Sequence, residues 1–234
     1  MDGLLVLVGS EGFTPAMEAV DREALAATGR QRPRVAILPT AAAPDGEPAC
    51  MRLAEMGRQH FGALGAEVET VRVYGRAEAD DEIAAQAVGE ADLVYLCGGH
   101  PMHLYEALAG TAVGRALRAG HRRGTVIIAS GAAAMVLADR QPHVMRGRPV
   151  PRGWTPALGL LPRIALIPAY DALPEALMMT VVLMPPRSGV VLGLDRQTAL
   201  VGRDGTWQVE GAGRLTIWQG RHRTRYRDGE VVRL

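Results

Sequence analysis

The stretch VIIASGAAAMVLAD, Val126 to Asp139, sets the hydroxyl of Ser130 among very small residues. An apolar strand-like run leads in, and an apolar helical run leads out. That is the layout of a nucleophile elbow, a strained strand-turn-helix corner that raises a Ser or Cys above a parallel sheet for acyl transfer. The corner needs small neighbours two residues before and two after it, because strand and helix nearly touch there. Centred on Ser130, those neighbours are Ile128 and Ala132; centred on Gly131, they are Ala129 and Ala133. The spacing therefore predicts Gly131 at the apex, with positive φ. Glycine relieves the strain there, because it has no Cβ.

A second chemical cluster is CGGHPMH, with Cys97, His100 and His103 at three-residue spacing. The types suit a metal site or a Cys-His pair. They equally suit a buried Cys at a strand end and two His on a first helical turn, with Pro101 at N1 and His100 near the N-cap. No further ligand cluster accompanies them, so no metal is expected and the second reading is preferred. Gly98 and Gly99 permit close backbone approach and could offer N–H donors to an oxyanion. GSEGFTP, after the first apolar run, lacks the spacing of a dinucleotide-binding loop, and no cofactor is expected. Arg221, Arg223, Arg225 and Arg227 alternate, as on one face of a strand. A solvated edge strand is preferred over a nucleic-acid surface.

The elements that must hold these residues read as alternating strands and helices. LLVLV, RVAIL, EVETVRV, LVYLC and TVIIAS are strand-like, and each is followed or preceded by a helical run. This predicts an α/β fold, a mostly parallel sheet with helices on both faces. From about Arg187, short strands broken by turns predict an antiparallel C-terminal extension of the same sheet. RDGT and RDGE read as Asp-Gly hairpin turns. Gln141 to Pro156, rich in Pro, Gly and Arg, reads as a long surface loop.

The totals narrow the partners. The chain has 234 residues, taken as one domain over 1–234, and a formal net charge of +1. That charge draws it neither to nucleic acid nor to membrane. No Lys is present, which excludes a Lys nucleophile, Schiff base or P-loop lysine. Two cysteines, Cys50 and Cys97, are too few for a disulfide framework. The first ten residues lack a signal-peptide pattern, and no apolar run is long enough to span a bilayer. A cytoplasmic protein is expected, and a homodimer is a partner the sequence allows.

Three stretches, in order, resemble the cyanophycinase and α-aspartyl dipeptidase family of serine peptidases: LVYLCGGHPMHLYEAL, TVIIASGAAAMVLAD and VVLGLDRQTALVGRDG. ILPTAAAP and LGLLPRIALIPAYD also look like that family, so the likeness covers nearly the whole chain. It implies a class I glutamine amidotransferase-like fold and a serine hydrolase triad. Matched residue by residue, the nucleophile position falls on Gly131. The histidine position falls on Ala169, before Tyr170, and the acidic pair on Asp195-Arg196. The resemblance thus implies a family member whose nucleophile, base and acid are replaced. An active hydrolase using Ser130 or Cys97 is the alternative, and a ligand-binding module reusing the pocket is a third reading. The expected pocket lining is Gly98, Gly99, His100, Ser130, Gly131, Ala169 and Tyr170. Backbone N–H groups at a helix N-terminus, with Arg196 where it reaches in, would favour a small anionic ligand.

Overall fold

The computed structural model describes residues 2–145, 148–172, 174 and 189–234. Five strands form a parallel core: β1 (Leu5–Val8), β2 (Arg34–Leu38), β3 (Glu67–Thr70), β4 (Leu93–Leu96) and β5 (Val126–Ser130). Between them run α1 (Glu18–Ala27), α2 (Glu47–Ala63), α3 (Arg76–Ala79), α4 (Glu82–Glu90), α5 (Pro101–Leu108) and α6 (Ala112–Arg123). The strands lie in the order β1-β5-β4-β2-β3. Their near-continuous apolar character follows from burial on both faces. Within β1, Leu5 and Leu7 enter one core while Val6 and Val8, with Leu4 just before the strand, enter the other, the period-two alternation of a strand.

Local chemistry ends the helices where the chain must turn. α6 starts at Thr111, whose hydroxyl accepts from the Gly114 N–H at 3.4 Å, and stops at Gly124, which has φ 105°. His121, Arg122 and Arg123 fill its last turn, where the helix dipole favours positive charge.

The C-terminal half departs from the sequence expectation. Antiparallel strands β10 (Thr198–Arg203), β11 (Thr206–Gly211) and β14 (Val231–Arg233) do extend the first sheet beyond β1, making eight strands. The other strands build a second sheet of six, ordered β13-β12-β9-β8-β6-β7. It contains β6 (Ala138–Met145), β7 (Arg148–Pro156), β8 (Leu161–Pro168), β9 (Val190–Leu194), β12 (Leu215–Gln219) and β13 (His222–Tyr226). One apolar core spans both sheets, joining Leu5 and Ala129 to Leu166, Leu192 and Leu215. A seventh helix, α7 (Ala132–Leu137), leads from β5 into β6.

The stretch read as a surface loop is therefore a strand pair. β7 is an edge strand, where Pro is tolerated, and Pro142 of β6 sits beside a register shift. Residues 146–147 of that stretch lie outside the described residues. Of the two Asp-Gly turns, RDGT joins β10 to β11, with positive φ at Asp204 and Gly205. RDGE instead carries the chain from the second sheet back to the first, because β14 pairs with β11. Arg223 and Arg225 lie on the exposed edge strand β13.

One carboxyl pair gives the fold a pH dependence. Glu210 on β11 is pushed up to about 7, first by burial, then by hydrogen bonding and charge from Glu23 on α1, with Asp228 adding charge. Its ordinary value is 4.5, so the folded chain holds this proton more tightly than the unfolded chain. The stabilisation is full below the ordinary value and is lost as pH rises through the folded value. Both side chains reach solvent, so screening should limit the loss to about 1 kcal/mol. Urea midpoints are expected to fall between about pH 5 and pH 8, and Glu210→Gln should remove that component.

Candidate functional site

The site lies beyond the carboxyl ends of β1, β4 and β5, where open α/β sheets bind ligands. β5 is buried along its whole length and hands the chain to α7 at a single residue, Gly131. Gly131 has φ 57° and ψ −123°, so the apex lies where the small-residue spacing placed it. Its N–H donates to the Val8 carbonyl at 2.8 Å, tying the corner to β1. Ala129 and Ala133, the neighbours two residues away, are fully buried. A Cβ built on Gly131 would find its nearest neighbour, the Gly98 Cα, 4.0 Å away. The corner has room for a side chain and pays only in backbone strain.

Ser130 is the last residue of β5, and its side chain lies on the same face as Ile128 and Tyr95. Its hydroxyl hydrogen-bonds the Tyr95 phenol, whose pKa burial holds well above its ordinary value. No histidine is among its described partners. Ser130→Ala is expected to cost about 1–2 kcal/mol, because it strands a buried phenol; urea denaturation would measure it.

Gly98 and Gly99 do permit close approach. A Cβ on Gly98 would come 3.0 Å from the Ser130 carbonyl oxygen, and one on Gly99 would come 2.3 Å from the Ala41 carbonyl oxygen. His100 follows as the N-cap of α5 with Pro101 at N1, as the sequence suggested. Its Nε2 lies 2.9 Å from Asp45 Oδ1. His103 Nε2 instead meets the Tyr74 carbonyl at 2.7 Å. Cys97 is buried, and desolvation pushes its thiol far up, away from the reactive thiolate. Cys97, His100 and His103 do not converge, and the described residues contain no group of three metal-ligating side chains.

A cavity of about 900 Å³ joins Gly98, Gly99, His100, Ser130, Gly131 and Ala169. Six of the seven expected lining residues thus meet. Ala169 follows β8 with φ 47°, its N–H donating to the Gly9 carbonyl at 3.1 Å. Tyr170 is the exception. Its ring covers Gly193 and packs with Ile167, Val191 and Trp218, and its hydroxyl accepts from Trp218 Nε1 at 3.0 Å. Tyr170 belongs to the core of the second sheet because the chain turns at Ala169 and throws the next side chain away from the cavity.

Arg196 also stays out of the lining. Its backbone N–H and its Nε donate to the two oxygens of Asp171, at 2.8 and 2.9 Å. Burial raises the Asp171 carboxyl, but these bonds more than offset it and hold it below its ordinary value. Asp195, the acidic member of the pair, is buried and accepts from Arg214 N at 3.1 Å. Desolvation raises its pKa. Of the two supports for an anionic ligand, backbone N–H groups at a helix N-terminus and Arg196, the second is taken up by Asp171.

Sequence reading missed the opposite wall of the cavity. Ser10, Glu11 and Phe13 enter from the loop after β1, Asp45 from the segment before α2, and Met102 from α5. GSEGFTP carried the signal: a Gly-rich loop leaving a strand hydrogen-bonded to the elbow strand.

Comparison with known proteins agrees with this layout. A peptidase from an acI-B1 Actinobacterium superposes with TM-score 0.90 at 26% identity, covering 100% of this chain and 98% of that one. A provisional peptidase E protein from Listeria monocytogenes EGD-e shares the fold at TM-score 0.64 and 16% identity, over 91% of this chain and 100% of that one. No curated protein matches the chain. The model of peptidase family S51 matches residues 4–209. The chain belongs to peptidase family S51.

Proposed function

We propose that this chain has kept the peptidase pocket and lost the serine hydrolase reaction, leaving a binding site built on a peptidase scaffold. The observation that carries this reading is Gly131 at the apex of the corner, where a hydroxyl would have to stand. Three further features support it. Ala169 offers a methyl where the resemblance implies an imidazole. The Ser130 hydroxyl is taken by the buried Tyr95 phenol. The Cys97 thiol is held protonated by burial, so it supplies no nucleophile either. What remains is a cavity lined by small residues and a few polar side chains, which can hold a ligand without a covalent step.

A cytoplasmic location belongs to the same reading. It is supported by the two buried, unpaired cysteines, Cys50 and Cys97. Among the described residues, no helix is long and apolar enough to cross a membrane. Incubation with α-aspartyl dipeptides and β-aspartyl-arginine tests the central reading. No turnover above the uncatalysed rate is expected. Turnover that Ser130→Ala abolishes would instead make Ser130 the nucleophile.

A further inference from the structure

We propose that the cavity carries a water-activating base, His100 oriented by Asp45, which hydrolyses small uncharged esters without a covalent intermediate. The proposal goes beyond the binding-site reading above and uses no serine. His100 Nε2 lies 2.9 Å from Asp45 Oδ1, and both residues line the cavity. A carboxylate only accepts hydrogen bonds, so Asp45 fixes the proton of the neutral ring on Nε2. Nδ1 then keeps its lone pair. It has no hydrogen-bond partner among the described residues, and the side chain is half exposed, so water can reach it.

The backbone holds this base in place. Asp45 ends a short 3-10 helix, Thr40–Asp45, that follows β2. Ala41 of the same helix accepts from the His100 N–H at 2.7 Å. One short helix thus ties both the backbone and the ring of His100. Pro101, next in the chain, has a fixed φ and opens α5. A base mounted in this way loses little freedom when it acts.

Gly98 and Gly99 directly precede His100 and line the same cavity. Neither N–H has a hydrogen-bond partner among the described residues. Such N–H groups are the donors that a developing oxyanion needs. Consecutive Cα atoms lie about 3.8 Å apart, so the base and these donors are within reach of one acyl group. Phe13, Leu53, Met102 and Met135 give an apolar wall for the acyl chain. Glu11 and Asp45 are carboxylates in the lining and no arginine is among its described residues, which favours an uncharged substrate over an anionic one. In the step, Nδ1 takes a proton from water as the water oxygen bonds to the acyl carbon, and the carbonyl electron pair moves to its oxygen. When that pair returns, the ester C–O bond breaks and its electrons leave on the alcohol oxygen. The imidazolium passes its proton to that oxygen, giving acid and alcohol. An ester is the substrate class because an acidic alcohol leaves without prior protonation, whereas an amine does not, and His100 is the one histidine in the described lining.

Hydrolysis of 4-nitrophenyl butyrate by the full chain, followed as released nitrophenolate, tests this. The saturated protein is expected to turn the ester over about 100-fold faster than buffer does, the low end of general-base catalysis. His100→Gln keeps the backbone N–H to Ala41 and should lose about ten-fold or more of that rate. Asp45→Asn should lower kcat about ten-fold with KM unchanged, because it releases the tautomer without touching the acyl wall. Both side chains are about half exposed, so both variants should fold. Free imidazole should restore turnover to His100→Ala beyond its effect on the buffer reaction. Three results would overturn the proposal: no turnover above buffer, parental turnover in His100→Gln, or parental kcat in Asp45→Asn. Each of these leaves the reading of lost serine chemistry standing. Turnover abolished by a fluorophosphonate would overturn the proposal and defeat that reading as well.

Discussion

Gly99→Ala is expected to lose about 3 kcal/mol or more, a large share of the stability of a marginally stable chain. The new methyl would lie 2.3 Å from the Ala41 carbonyl oxygen, a backbone atom that cannot swing aside. The His100 N–H also donates to that carbonyl at 2.7 Å, so pushing Ala41 away breaks the entry to α5. Gly131→Ala makes the contrast. Its methyl would have nothing closer than 4.0 Å, so the expected cost is the φ strain alone, about 1–2 kcal/mol. Chemical denaturation of the two variants side by side measures the difference. Equal losses would mean that the corner is as crowded as the Gly99 turn, and that glycine is needed there for space.

The second large effect falls on Tyr170. The sequence placed it in the pocket; the structure places it against Gly193 and Trp218. Tyr170→Ala removes a buried ring and strands the Trp218 indole N–H, and about 3–5 kcal/mol of stability should go with it. Binding of cavity ligands by the protein that remains folded should be unchanged. Tyr170→Phe, which keeps the ring, should cost about 1–2 kcal/mol through the unpaired indole alone. A Tyr170→Phe variant with parental stability and altered ligand binding would return Tyr170 to the pocket.

The contrast between Gly131 and Tyr170 shows what the sequence could reveal. Gly131 was legible because its position rests on local sterics: Ala129 and Ala133 are small where strand and helix converge. The parallel core was legible because strands buried on both faces are continuously apolar. Tyr170 was not, because its direction depends on positive φ at Ala169, a non-glycine residue that gives no sign of it. Arg196 was misread for a related reason. Nothing in the spacing tells that Asp171, 25 residues earlier, meets it. The second sheet escaped because Pro142, Pro149 and Pro151 made the β6–β7 pair look like a loop, although the edge strand β7 tolerates Pro149 and Pro151, and Pro142 sits beside a register shift. Glu11 lies on an irregular loop and Asp45 at the end of a short 3-10 helix, where no hydrophobic period marks which way a side chain faces.

The central claim is that no activated hydroxyl faces the cavity, and labelling of the full chain with a fluorophosphonate probe tests it most directly. The probe reacts with a serine activated for acyl transfer, whatever the preferred substrate. Ser130, held by Tyr95 at the end of β5, should take no label at neutral pH, and intact-mass measurement should show the parental mass alone. Stoichiometric labelling of the parent that disappears in Ser130→Ala would contradict the account, and would show that the corner at Gly131 presents its neighbour as a working nucleophile.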